Sequence, residues 1–162
     1  MLRIVPTLSE ETISQAQVLF REYANTPGVV ACLEDFEREL TSLPGFYAPP
    51  AGKLLLAIEE STEGSEEAIG CVALRKWDPD ACEMKRLYVR PAFRGKGAGR
   101  ELVISLIEGA RAIGYKKMLL DTLPSMKESH RLYRALGFRE IPTYQKNPVP
   151  GALFFELLLA RK

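Results

Sequence analysis

The sequence predicts an α/β chain of mixed α+β type: a central twisted mixed sheet of about six to seven strands flanked by about four helices, as a single domain over residues 1–162. Two observations carry that expectation. Three apolar runs, Lys53 to Ile58, Ala68 to Trp77 and Cys82 to Val89, follow one another across short polar turns and so read as an antiparallel meander. From Glu83 to Asp121 the order is strand, glycine-rich turn, helix, strand, which requires a parallel crossover inside a mixed sheet. A chain of 162 residues is long enough to bury such a core without disulfides or metals.

Taken in order, Leu2 to Val5 predicts a short first strand stopped at Pro6. Ser9 ahead of Glu10, Glu11 and Thr12 marks a helix start, with a hydroxyl cap and acids near the positive dipole end. That helix runs to about Tyr23, before Asn25-Thr26-Pro27-Gly28 ends it. Leu33, Phe36 and Leu40 recur at helical spacing among acidic residues and predict a second helix with an acidic face. Leu43 to Gly52, rich in proline and glycine, is a loop whose Phe46 and Tyr47 either clamp it to the core or pack over a substrate. Ser61 to Glu67 and Asp78-Pro79-Asp80 are turns of the meander.

Leu102, Val103, Leu106, Ile107 and Ala110 mark the apolar face of a helix from Gly99 to Ile113, terminated by Gly114. Lys117 to Asp121 is a buried strand. A helix from near Ser125 is expected to bury Leu132 and Leu136 and to end at Gly137. Phe138 to Ile141 and Ala152 to Leu159 are the final strands, separated by the loop Pro142 to Gly151.

Charge and cysteine usage exclude several function classes. With 22 basic and 21 acidic residues the net charge is +1, so bulk electrostatics support neither a nucleic-acid nor a membrane partner. Three cysteines without a CxxC pair, and the single histidine His130, argue against a structural zinc site, and no metal is expected. The odd, sparse cysteine count also argues against a disulfide framework and favours a reducing compartment. No apolar run reaches membrane-spanning length, and a cytoplasmic protein is expected.

The chemistry is concentrated at Arg94-Gly95-Lys96-Gly97-Ala98-Gly99-Arg100, between a strand and a helix. Glycines there let the backbone approach an anion, and the helix start adds free N–H groups and a positive dipole end. The same turn also reads as a plain strand-to-helix connection with solvated cations. A dinucleotide fingerprint fails because Arg100 stands where its third glycine belongs, and a P-loop fails because Lys96 is followed by Gly97 rather than Ser or Thr.

Arg94-Gly95-Lys96-Gly97-Ala98-Gly99 resembles the R/Q-x-x-G-x-G/A acetyl-CoA signature of the GNAT superfamily of N-acetyltransferases. Leu87-Tyr88-Val89-Arg90-Pro91 before it, and Leu132-Tyr133-Arg134-Ala135-Leu136-Gly137-Phe138 after it, resemble that family's "LYV-x-P" and "LY-x-x-L-G-F" segments. The resemblance implies the GNAT fold and acetyl-CoA as co-substrate. Its pyrophosphate would be held by Arg94, Gly95, Lys96, Gly97, Ala98, Gly99 and Arg100, and its pantetheine along the backbone of Leu87, Tyr88 and Val89. A bulge in that strand, as in family members, would free an N–H for the oxyanion.

The resemblance assigns the proton-accepting base to Glu83 and the general acid for the departing thiolate to Tyr133. Read as residues alone, Glu83 is equally a strand carboxylate paired with Lys85 or Arg86, and Tyr133 a packed helix tyrosine. Many relatives carry an asparagine seven residues before the tyrosine; here that position is Met126, and Ser129 or Ser125 would take over its cofactor contact. His130 is a base or, more simply, a surface or supporting residue. Tyr23, Glu34, Phe46, Tyr47, Tyr144 and Asn147 lie in the segments that build the acceptor site in this fold. The resemblance implies acetyl transfer to an amine and leaves a homodimer open; without an extra domain or a strongly acidic chain, a small-molecule amine is the expected acceptor. The alternatives are a peptide or protein amine as acceptor, or a non-catalytic acyl-CoA sensor.

Overall fold

The computed structural model describes residues 1–27, 29, 35–146 and 148–159. Among these, seven strands form one mixed sheet: β1 (Leu2–Pro6), β2 (Lys53–Glu60), β3 (Glu66–Lys76), β4 (Ala81–Val89), β5 (Lys117–Thr122), β6 (Arg139–Ile141) and β7 (Leu153–Leu158). The order across the sheet is β1-β2-β3-β4-β5-β7-β6, and only β4 and β5 run parallel. The meander and the crossover are therefore as the sequence predicts. The final strand β7 inserts between β5 and β6 rather than adding to an edge.

Four helices, α1 (Glu10–Ala24), α2 (Phe36–Thr41), α3 (Ala98–Ile113) and α4 (Lys127–Ala135), complete the described fold. Helix α1 starts at a reciprocal cap: the Ser9 hydroxyl accepts from the Thr12 N–H at 3.1 Å, and the Thr12 hydroxyl accepts from the Ser9 N–H at 3.0 Å. Helix α2 is entered through Asp35, which holds the left-handed conformation at φ 58°. Leu33 and Glu34, expected at its start, lie outside the described residues.

Strand alternation divides the core in two. Leu54, Leu56, Cys71 and Ala73 face α1 and α2 with Leu19, Phe20 and Leu40. Leu55, Ala57, Val72 and Leu74 face α3 with Leu102 and Leu106. Tyr47 settles into the first core, edge-on to Phe20 at 6.2 Å, so it clamps its loop, whereas Phe46 is exposed. On α4 the buried residues are His130 and Tyr133, not Leu132 and Leu136, which are only partly covered. The helix turns its 130/133 edge toward Phe155 and leaves Leu132 beside the glycine turn.

Two irregularities in β4 position the site. Cys71 and Ala73, two positions apart on β3, pair with Tyr88 and Lys85, three positions apart on β4, so β4 carries one extra residue. Arg86 absorbs it at φ 61°. The insertion reverses which face the later side chains take: Cys82 and Met84 pack on the α3 side before it, and Tyr88 on the α1 side after it. Secondly, β4 pairs with β5 only from Ala81↔Lys117 to Glu83↔Leu119. Beyond that the strands run on to Val89 and Thr122 unpaired, opening a wedge between them.

Candidate active site

The wedge lies within a cleft made of two adjoining pockets. Its outer part is lined by Val89, Arg94, Gly97 and Leu132, and its inner part by Lys85, Asp121, Thr122 and Tyr133. Tyr23, Leu87, Met126 and Ser129 line both parts. The glycine turn and Tyr133, distant in sequence, thus line adjoining pockets.

At the outer end, Gly97 precedes α3 at φ 90°, and no side chain caps the helix there. A Cβ on Gly97 would meet nothing within 4 Å, so backbone conformation rather than crowding calls for glycine. The first intrahelical bond runs from the Glu101 N–H to the Gly97 carbonyl at 3.0 Å. It leaves the N–H groups of Ala98, Gly99 and Arg100 without helical acceptors at the positive end of the helix dipole. Gly99 is already helical, and a Cβ there would sit at ordinary contact, 3.8 Å, from Leu132 and Val89. An open, donor-rich cradle leading into a narrow wedge fits a diphosphate carrying an extended arm, the shape of acetyl-CoA.

The cations around the cradle are distributed unequally. Arg94, Gly95, Lys96 and Arg100 are exposed. Arg94 nevertheless turns back: its Nε donates to the Val89 carbonyl at 2.7 Å and its guanidinium lies 5.7 Å from the Tyr88 ring. Lys96 sits 5.8 Å from the Phe93 ring. Tyr88 lines the cleft while its hydroxyl donates to Glu22 at 3.2 Å. Arg90 forks the same Glu22 carboxylate at 3.0 and 2.8 Å and reaches Glu67 at 2.9 Å, pinning α1 to the end of β4.

At the bulge, Arg86 makes paired hydrogen bonds to Glu39 of α2 at 2.9 and 2.8 Å, with the Tyr23 ring 5.9 Å away. Burial opposes its charge, but Glu39 more than offsets this, and the guanidinium pKa lies above its ordinary value.

Tyr133 faces the inner cleft, its ring held by Phe138 at 5.6 Å and Phe155 at 5.9 Å. Burial pushes its pKa up, and the neighbouring Ser129 side chain opposes this in part. Glu83 is 0% exposed, and its partner is neither Lys85 nor Arg86. Oε1 accepts from Arg75 at 2.9 and 2.7 Å; Oε2 accepts from the Tyr144 hydroxyl at 2.6 Å and Gln145 at 3.3 Å. Burial, with the Glu83 charge second, pushes the Tyr144 hydroxyl up. The carboxylate lining the inner cleft is instead Asp121, 3.2 Å from Lys85 Nζ. Sequence reading offered Lys85 to Glu83 and did not pair it with Asp121, because an alternating strand charge carries no local signal of its partner across the sheet.

His130 is neither on the surface nor in the cleft: it is buried, with Nε2 3.0 Å from the Leu123 carbonyl. It braces the turn between β5 and α4. Met126, in the asparagine position, lines the cleft with its Sδ 3.8 Å from the Thr122 hydroxyl. Ser125 and Ser129 also line the cleft. Of the acceptor-side residues, Tyr23 reaches the cleft, Tyr47 is core and Tyr144 is bound to Glu83. Glu34 and Asn147 lie outside the described residues.

Comparison with known proteins agrees with this geometry. Residues 17–138 match the model of the acetyltransferase (GNAT) family. The chain is 35% identical to an uncharacterised N-acetyltransferase of Schizosaccharomyces pombe, covering 93% of this chain and 91% of that one. It is 27% identical to the N-acetylaspartate synthetase of Danio rerio, covering 74% of this chain but 44% of that one. It superposes with a TM-score of 0.72, at 20% identity and over 100% and 96% of the two chains, on an acetyltransferase of Salmonella typhimurium solved with acetyl-CoA. With the cradle, the bulged strand and the divergent β4 and β5 all present, the chain belongs to the acetyltransferase (GNAT) family.

Proposed function

We propose that this protein transfers the acetyl group of acetyl-CoA to the primary amine of a small molecule, by direct attack within a ternary complex. The observation that carries this reading is the adjacency of two pockets at the β4–β5 wedge, one holding the Gly97 cradle and the other Tyr133, with Tyr23, Leu87, Met126 and Ser129 shared between them. The N–H groups at the start of α3 and the cations Arg94, Lys96 and Arg100 hold the diphosphate. The backbone of Leu87, Tyr88 and Val89 guides the pantetheine arm. Arg94 must then release the Val89 carbonyl, and the diphosphate it gains in exchange is the stronger acceptor.

The amine nitrogen forms a bond to the thioester carbonyl carbon as the carbon–sulfur bond breaks. The bond's electron pair leaves on sulfur, and the Tyr133 hydroxyl, kept protonated by burial, supplies its proton. The amine's own proton passes to Asp121, the carboxylate that lines the inner cleft. Glu83 faces the same side of the sheet but spends both oxygens on Arg75, Tyr144 and Gln145. It therefore positions the loop after β6 rather than receiving the proton directly.

A small-molecule acceptor is supported by the enclosure of the inner cleft between Tyr23, Arg86 and Thr122. The name of the Danio rerio relative likewise denotes acetylation of a small amine in that protein. A screen of amines for acetyl-CoA-dependent thiol release tests the reading. Turnover with at least one small amine is expected; tight acetyl-CoA binding without thiol release from any amine would replace it with a non-catalytic acyl-CoA sensor.

A further inference from the structure

Three cations lie on the face of β3 and β4 that looks toward the acceptor side, and two of them are each held by two contacts to a glutamate. Arg75 is held by Glu83 and Arg86 by the paired bonds of Glu39. Lys85 is different. Its ammonium carries three donors, yet among the described residues it makes one hydrogen bond, to Asp121 Oδ1 at 3.2 Å. Asp121 in turn accepts only that bond there, which leaves Oδ2 open. Both side chains are largely buried, 15% and 20% exposed, and both line the inner cleft beside Tyr133. Charged groups removed from water to this degree call for further polar partners.

An ammonium and a carboxylate about 3 Å apart on one carbon are the defining groups of an α-amino acid. Laid antiparallel against Lys85 and Asp121, such a zwitterion matches their spacing with opposite sign at each end. We infer that the acceptor is a free α-amino acid, its carboxylate bound by Lys85 and its amino group by Asp121. This rests on the acetyltransferase reading and adds the substrate class.

The arrangement also excludes other amines. A peptide N-terminus presents an amide where Lys85 expects an anion, so an ammonium donor faces a neutral group. A polyamine brings a second cation toward Lys85. A simple alkylamine leaves the Lys85 donors unanswered. In each case Asp121 still receives the amine, so the discrimination resides in Lys85. For the amino acid, the contact to Asp121 places the nucleophilic nitrogen in the same cavity as the Tyr133 hydroxyl.

The test is acetyl-CoA-dependent thiol release by the wild-type protein with common L-α-amino acids, their carboxamides and the matching decarboxylated amines. At least one amino acid is expected to exceed its own carboxamide roughly tenfold or more in kcat/KM, the worth of one charge-assisted contact. Lys85→Met should abolish that ratio by depressing turnover of the amino acid, and Lys85→Arg should retain it. Equal or faster turnover of carboxamides or decarboxylated amines overturns the inference and leaves the acetyltransferase reading standing. Thiol release from none of the amines removes both. Because the acid–amide comparison is made on the wild-type protein, the outcome does not depend on either variant folding.

Discussion

The guanidinium of Arg86 closes on the carboxylate of Glu39 through bonds of 2.9 and 2.8 Å, tying helix α2 to the one bulged position of β4. Arg86 is 8% exposed at its side chain and holds a positive φ that a non-glycine residue adopts only at a cost. Glu39→Gln therefore leaves a nearly buried cation without its countercharge. A stability loss of about 2–3 kcal/mol is expected in chemical denaturation, with a lowered kcat because the bulge loses its anchor. Unchanged stability would show that the pair is replaceable by solvent.

The glycine turn contains two glycines with opposite expectations. Gly97→Ala forces a side chain into a left-handed conformation and should cost about 1–2 kcal/mol while weakening acetyl-CoA binding. Gly99→Ala adds a methyl group at 3.8 Å from its neighbours within a helix and should stabilise by about 0.5–1 kcal/mol. Thermal unfolding together with calorimetric titration of acetyl-CoA separates the two.

Tyr133 is packed by its ring, and in the proposed reaction it acts through its hydroxyl. Tyr133→Phe preserves the contacts to Phe138 and Phe155 and removes only the proton donor. A fall in kcat of about 100-fold is expected, with acetyl-CoA affinity unchanged. Loss of affinity in step with rate would identify Tyr133 as a binding residue instead.

The two carboxylates should separate by phenotype. Asp121→Asn is expected to lower kcat by about 100-fold and also to cost about 1–2 kcal/mol, since it leaves the largely buried Lys85 ammonium without its countercharge. Glu83→Gln should mainly destabilise, by about 1–3 kcal/mol, because Arg75 loses an ion pair but remains 32% exposed to water. Stopped assays and urea titrations of both variants decide the assignment; a rate defect confined to Glu83→Gln would reverse it.

Alkaline pH should unfold this protein before acid chemistry at the site fails. Burial pushes the Cys82 thiol up to about 12 and raises Cys71, Tyr47, Tyr133 and Tyr144 above their ordinary values. A group whose pKa is raised on folding stabilises fully below its unfolded value and loses that contribution as pH climbs toward the folded one. Loss should begin near the ordinary thiol value of 9.0 and steepen past the ordinary tyrosine value of 10.0. A Tm that stays level from pH 8 to about pH 11 would contradict this. In the native state, peptide mapping after treatment with a thiol reagent should find Cys71 and Cys82 unmodified.

Local spacing by itself determined the order and type of the elements and the glycine cradle, and the family resemblance carried by those short segments pointed to the candidate acid. Those signals are short-range: Ser9 with Thr12, the apolar face of α3, and the run from Arg94 to Arg100 each lie within a few turns of chain. The tertiary structure decided which charges meet. Arg86 and Glu39 are 47 residues apart, Lys85 and Asp121 are 36 apart, and Tyr144 reaches Glu83 across 61. No local pattern specifies such pairs, because they arise when one extra residue in β4 reverses its later side chains and when β5 diverges from it. The family was therefore legible from adjacent residues, whereas the proposed proton acceptor and the proposed acceptor-binding pair became visible only where strands meet across the sheet.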